Sequence, residues 1–352
     1  MSLKAGLGDV ILTMPMFTDL HRAFQDATLD FCLPAQAVPM AAEHPHIAGT
    51  VPYDRATRHG LPWRVRRGGY DWVLDVVPSD RSALIVGFSG ARVRVGRKGI
   101  HDSPLRIAPL WALYTHTVRH DPLLYGARDR QRLLEALGIC VGPPQPWIYL
   151  ADRERAEGQE LARSLRLDEA QPCVGIFLRS GAAVKEWPVD RFAHLALALR
   201  KQGIAPLIFR GIGEDKAFAD FSRLARGVAV APLLPLRAFL CLLATCRAFV
   251  STDIGPAHMA QALGVPTITL FGSTNPVIWN CGPPMGFVVR AEHVPCLGCG
   301  RRTCPVGHRC MTELGVEPVI DTVLRVVRSR DGMRRESVSG QPKEAVMATP
   351  AR

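Results

Sequence analysis

The sequence predicts an α/β protein made of two doubly wound domains. Its 352 residues suit two domains of ordinary size. Short apolar runs alternate with amphipathic stretches, as in βα units wound around mainly parallel sheets. Near the middle, Gly142, Pro143, Pro144 and Pro146 interrupt that alternation and read as a linker.

In the first half, strands are predicted at 28–33, 72–77 and 93–95, and helices at 15–25, 79–88 and 125–137. A short helix at 154–165 leads into the second half. That half is more regular. Strands are predicted at 173–178, 206–209, 228–230, 248–251, 267–271 and 287–289, with helices at 189–201, 215–226, 236–245 and 256–263 between them. This is a doubly wound βαβ series. The expected division is 1–147 for the first domain, 148–315 for the second, 316–330 for a last helix and 331–352 for a disordered polar tail. Gly6-Leu7-Gly8-Asp9 has the look of a loop that follows a first parallel strand. Only five residues stand before it, so that strand is expected to be missing or to begin upstream.

Apolar residues make up 47% of the chain, enough for a core in each half. No run of 18 apolar residues marks a membrane span, and no basic start with a following apolar stretch marks a signal peptide. A cytoplasmic protein is expected. The net charge of +11 is uneven, with eleven Lys or Arg against four acids between Arg55 and Arg106. Such a field suits phosphorylated lipid or a membrane surface, or is a solvated basic face. Zinc-finger spacing, an RNA-binding aromatic signature and a basic heptad region are all missing, which disfavours nucleic acid.

The most informative segment is Ser251-Thr252-Asp253-Ile254-Gly255-Pro256-Ala257-His258. An apolar strand ends here in a turn that starts a helix, and Gly255 lets a ligand approach the backbone. Free N–H groups and the helix dipole form an anion site, to which His258 adds a donor. Asp253 either caps the turn or holds a hydroxyl. Lys185 follows another strand and a small-residue loop, where an ammonium reaches phosphate oxygens or is simply solvated. Glu214, after Gly211-Ile212-Gly213, suits ribose hydroxyls or the start of a helix. The G-x-G-x-x-G fingerprint is absent, so NAD is disfavoured. Asp9 is the candidate base, or a helix cap. The chain has no Asp-x-Asp pair to clamp a metal on a diphosphate, so Lys185, His258 and the helix start would neutralise a leaving group. Cys296, Cys299, Cys304 and Cys310 are either a structural zinc site or reduced, metal-free thiols.

These residues resemble glycosyltransferase family 9, the lipopolysaccharide heptosyltransferase family. The resemblance rests on Gly6 through Pro15, Lys185-Glu186-Trp187-Pro188, Gly213-Glu214 and Asp253 through His258. It continues in Leu263 through Thr267, Phe271 through Pro276 and the cysteine stretch ending in Cys310-Met311. It spans about residues 3 to 328. It implies a GT-B architecture, two Rossmann-like domains facing a cleft, with a last helix that commonly crosses back to the first domain. It implies inverting transfer, usually of heptose from an ADP-activated donor to the inner core of lipopolysaccharide. By resemblance Asp9 is the general base on the acceptor-side loop of Gly6 and Gly8. Lys185 lies near the donor phosphates, Glu214 on the ribose, and Asp253, Ile254, Gly255 and His258 in the donor loop. Ile254 departs from the Thr of some members. The implied partners are a nucleotide-sugar donor and a phosphorylated glycolipid acceptor at the inner membrane face, with no cofactor required for catalysis. Two alternatives stand beside this reading, a sugar-nucleotide epimerase and a non-catalytic nucleotide-sugar-binding relative.

Overall fold

A computed structural model of the chain describes residues 6–98, 110–168, 170–178, 181–211, 213 and 215–339. The first half holds two small parallel sheets. One pairs β1 (Asp30–Pro34) with β2 (Gly49–Tyr53), and the other runs β3 (Trp72–Leu74), β4 (Val93–Lys98), β5 (His116–Arg119). The second half holds one six-stranded parallel sheet of β6 (Cys173–Phe177), β7 (Ala205–Phe209), β8 (Ala229–Val230), β9 (Ala248–Thr252), β10 (Thr267–Leu270) and β11 (Gly286–Val289). Its order is β11-β10-β9-β6-β7-β8. The winding reverses between the neighbours β6 and β9, so a crevice opens at their C-terminal ends.

Burial on both faces explains why the second half was regular in sequence. All five residues of β9 are buried, so the strand reads as a continuous run and not as an alternation. Helix Val189–Lys201 covers one face through Phe192, Ala193, Leu195, Ala196 and Leu199, spaced three to four apart. Burying a side chain such as Phe192 stabilises the fold by about 1.5–3 kcal/mol.

The first half departs from expectation in places. Strands β2 and β5 were not foreseen. β2 contains Pro52 and β5 is polar and mostly exposed, so neither carries a clear strand pattern. Helix Leu61–Arg67 was hidden by its three arginines, since only Leu61 and Val65 face inward. The last helix, Glu317–Ser339, starts at the expected place but runs nine residues past 330. Arg334, Arg335 and Glu336 are good helix formers, so the backbone stays helical where a tail was expected. Residues 340–352 of that expected tail lie outside the described residues. Val319, Val323, Val326 and Val327 pack with Val250, Ile268 and Val289 of the second sheet.

Residues 147 and 148 bond to opposite halves. The Trp147 indole donates to Thr18 Oγ1 at 3.2 Å, while the Ile148 N–H donates to the Ala262 carbonyl at 2.9 Å. Helix Gly126–Glu135 is tied down by buried polar groups. Gln131 donates to Asp19 at 2.6 Å, and Asp129 meets both Arg97 and His120 at 2.7 Å. A buried carboxylate paired with Arg97 is costly to disrupt, because either partner left alone stays desolvated.

His44 stacks on Trp147 with ring centroids 4.4 Å apart, and burial pushes its pKa down to about 4 from 6.5. The folded state therefore resists a proton that the unfolded chain accepts. His44 should cost stability as pH falls below 6.5, with the loss complete near 4. Melting temperatures measured from pH 7 to 4 should drop less steeply in His44→Asn than in the parent. Parallel curves would show that another group carries the acid limb.

Candidate active site at the seam between the halves

Strand β9 ends at Thr252, and helix Gly255–Ala262 starts three residues later. Its N-cap is Ile254, in extended backbone, which offers no side-chain hydrogen bond. The helix start therefore keeps donors that a Ser or Asp cap would have used. Asp253 is not that cap. Its carboxylate accepts from Lys185 Nζ at 2.8 Å, and its carbonyl accepts from the same Nζ at 3.0 Å. Lys185 comes from the turn after β6, so this ion pair bridges the two strands at the reversal point. Asp253 is buried while the Lys185 side chain is 27% exposed. Glu214 lies outside the described residues.

The first half reaches this crevice through Gly6-Leu7-Gly8-Asp9, where a short helix, Leu7–Ile11, starts. Its backbone lies almost against helix Gly255–Ala262. A Cβ on Gly8 would stand 2.7 Å from His258 Cδ2, and one on Gly255 would stand 3.3 Å from Leu7 Cβ. Glycine at both positions is what lets the two backbones approach. Asp9 follows at once. One carboxylate oxygen accepts from the Gly6 N–H at 3.0 Å, and the other accepts from Arg130 Nη2 at 2.6 Å. Asp9 thus serves its own helix as a cap and also reaches across the domain. Its side chain is 22% exposed, against 7% for Arg130.

Burial is the main reason the His258 pKa is lowered, and the charges of Asp253 and Asp9 only partly oppose it. The imidazole is therefore neutral near pH 7, with Nε2 3.9 Å from Asp253 Oδ1. Its Nδ1 is buried without a hydrogen-bond partner among the described residues. Burial likewise pulls the Arg130 guanidinium down, against the attraction of Asp9 and Asp129. The seam thus gathers Asp9, Arg130, His258, Asp253, Lys185 and an uncapped helix start. A carboxylate able to accept a proton faces groups able to hold an anion.

Sequence reasoning missed Arg130 and Trp279. Arg130 lies on the buried stripe of helix Gly126–Glu135 with Ala127 and Leu134, and an arginine at such a position was a readable signal. Trp279, whose ring centroid is 5.9 Å from that of His258, sits in a four-residue helix with no period to read. Among the described residues no three His, Cys, Asp or Glu side chains form a metal-holding group. Cys310 is buried against Gly272 with Met311, whereas Cys299 is exposed. Burial first, and then the nearby thiols of Cys296, Cys304 and Cys299, raise the Cys310 pKa.

The model of the family described as Glycosyltransferase family 9 (heptosyltransferase) matches residues 58–309. The chain belongs to glycosyltransferase family 9. Lipopolysaccharide heptosyltransferase 1 of Pseudomonas aeruginosa is 30% identical over 322 residues, covering 85% of each chain. Lipopolysaccharide heptosyltransferase 3 of Escherichia coli K12 is 25% identical, covering 78% of this chain and 82% of the relative. A glycosyl transferase family 9 structure from Veillonella parvula superposes with a TM-score of 0.77 at 21% identity, over 92% of this chain and 95% of the other. The family 9 protein is accordingly a glycosyltransferase with the GT-B fold, and the epimerase and non-catalytic readings give way.

The glycine seam makes a graded prediction. Gly8→Ala should destabilise the protein by about 1–3 kcal/mol, the usual cost of forcing a methyl into a packed site. Gly255→Ala, whose new methyl has more room, should cost less. Denaturant midpoints in the reverse order would mean that the seam is looser than described.

Proposed function

We propose that this family 9 glycosyltransferase transfers heptose from ADP-heptose to a phosphorylated glycolipid, the inner core of lipopolysaccharide, with inversion and without a metal. The observation that carries this is Asp9 standing on the acceptor-side loop, across the seam from Lys185 and the start of helix Gly255–Ala262. The names of the relatives, lipopolysaccharide heptosyltransferases 1 and 3, support the donor and acceptor classes.

In this reading Asp9 takes the proton of an acceptor hydroxyl, and that oxygen attacks the anomeric carbon in line as the nucleotide diphosphate leaves. Arg130 holds Oδ1 of Asp9, so the carboxylate is oriented before substrate arrives. The leaving diphosphate is met by Lys185, by the helix start at Gly255 and by a neutral His258 acting as donor. Asp253 orients Lys185, Ile254 leaves the helix start open, and Glu214 takes the ribose. Fixed cations and N–H groups stabilise developing charge without reorganising, which removes the need for a metal.

The acceptor side has surface features that suit a phosphorylated lipid. Trp63 is 59% exposed and packs edge-on against Phe88, 5.0 Å between centroids, with Arg66 also over Phe88. Lys98 lies 4.4 Å over Trp111. Aromatic rings ringed by cations match the headgroup layer of an anionic membrane. No helix among the described residues is long and apolar enough to cross a membrane. The proposed location is the cytoplasm, peripheral to the inner membrane, with no nucleic-acid partner.

Asp9→Ala should lower turnover by about 10²–10⁴-fold, the range for a general base, while ADP affinity measured by calorimetry stays close to the parent. Near-normal turnover would remove Asp9 from that role. Lys185→Ala should weaken ADP binding by about 1–3 kcal/mol. An unchanged affinity would place the diphosphate elsewhere. Heptose transfer should persist in excess EDTA after dialysis, and activity restored only by added divalent ion would overturn the metal-free mechanism.

A further inference from the structure

Strand β5 ends at Arg119, so His120 stands at the C-terminal edge of the sheet β3-β4-β5. Ligands of parallel α/β sheets settle outside that edge. The loop after His120 leads into helix Gly126–Glu135, whose first residue meets the other half. A Cβ on Gly126 would stand 3.1 Å from the Ile278 carbonyl oxygen. Two consecutive residues near the start of this helix then hold different side chains. Arg130 holds Asp9 at 2.6 Å, and Asp129 holds His120 at 2.7 Å.

Both oxygens of Asp129 are in use. Oδ2 meets Arg97 Nη1 and His120 Nδ1, each at 2.7 Å. Oδ1 accepts from the Asp121 N–H at 3.1 Å and from Arg132 Nη1 at 3.3 Å. Burial alone would raise the Asp129 pKa, but the Arg97 guanidinium and the His120 and Asp121 hydrogen bonds outweigh it and hold the carboxyl below its ordinary value. A carboxylate only accepts, so His120 carries its proton on Nδ1 and turns Nε2 away from Asp129. The side chains of Arg97 and Asp129 are 7% and 2% exposed, whereas that of His120 is 33% exposed. Only the imidazole of this row reaches solvent. Burying the Arg97–Asp129 pair costs desolvation that an apolar contact between β4 and the helix would not. What the pair supplies is a fixed ring plane and tautomer, as a carboxylate does for a histidine that meets a ligand.

We propose that His120 Nε2 binds an anionic oxygen group of the acceptor, a phosphate or a carboxylate, with Asp129 and Arg97 as its positioning residues. The inference rests on the reading of the first half as the acceptor side. Lys98 at the end of β4 and Arg119 at the end of β5 make that edge cationic. A protonated His120 would donate to the anion while Asp129 balances its charge from behind. The acceptor would be held by its charge at His120 and present a hydroxyl to Asp9, both residues being fixed from one helix. His120 thus decides which acceptor is taken and leaves the transfer step to Asp9.

Kinetics and a titration test this together. His120→Ala should raise the KM for the glycolipid acceptor by about ten- to a hundredfold, the effect of one lost hydrogen bond to a charged group. Its kcat should stay within about twofold of the parent, and its KM for ADP-heptose should not move. A merely structural His120 would disturb kcat and both KM values alike. In the parent chain, the His120 C2–H proton resonance, assigned by its loss in His120→Gln, should shift saturably when inorganic phosphate or acetate is added. Tighter binding of phosphate points to a phosphorylated sugar, and tighter binding of acetate to a sugar acid. This titration needs no acceptor. It still judges the site if the parent moves no heptose to a glycolipid, a result that would remove the proposed function instead. An unchanged acceptor KM in His120→Ala, or no saturable shift with either anion, overturns the inference.

Discussion

Gly8 and Gly255 face each other's helices across the seam, and the rest of the site depends on that approach. With side chains at both positions, the backbones of Leu7–Ile11 and Gly255–Ala262 would stand farther apart. Asp9 would then be drawn back from His258, whose protonation already responds to it. The distance between the Asp9 carboxylate and helix Gly255–Ala262 is therefore set by the absence of two methyl groups. Few other pairs of residues allow such proximity without exposing apolar surface.

Charge placement follows from this geometry. Arg97 and Asp129 anchor helix Gly126–Glu135, and Arg130 extends from that helix to Asp9. On the other side Lys185 is held by Asp253, which also lies near His258. Each charge has a partner before any ligand arrives. Desolvating ions costs several kcal/mol per ion, so such pairs contribute little net stability. What they provide is fixed orientation, which matters most where charge develops during a reaction. Lys185 illustrates the compromise. Its ion pair with Asp253 keeps the ammonium at the reversal point between β6 and β9, and its remaining exposure leaves it free to meet an anion.

Much of the second half was legible because burial writes itself into sequence there. β6, β7, β9 and β10 are covered by helices on both faces, and their apolar runs could be read directly. Helix Val189–Lys201 could be bounded to the residue, since Pro188 and the spacing of Phe192, Leu195 and Leu199 agree. The first half was less legible because its elements are short and half-exposed. Helix Leu61–Arg67 presents more arginine than aliphatic residues, and β5 has no buried residue. For the site, local motifs announced Asp9, Lys185 and the Asp253–His258 turn. Arg130 lies 121 residues from Asp9 in sequence, and only the fold brings the two together. Cys296, Cys299 and Cys304, close to Cys310 in sequence, are also near it in the fold, with Cys310 buried and Cys299 exposed.

The two halves thus differ in finish, and the difference suits their tasks. The second half is one six-stranded sheet with the last helix laid along it, so the turn at Asp253–His258 sits on that support. A nucleotide diphosphate is a small ligand of fixed shape, and rigid support favours its recognition. The first half has smaller sheets, more exposed aromatic rings and the denser positive charge. The proposed glycolipid acceptor would offer broad negative charge, which that basic face suits. Only the seam needs the same precision from both halves. There the acceptor half contributes its most constrained element, a loop fixed by two glycines and one buried arginine.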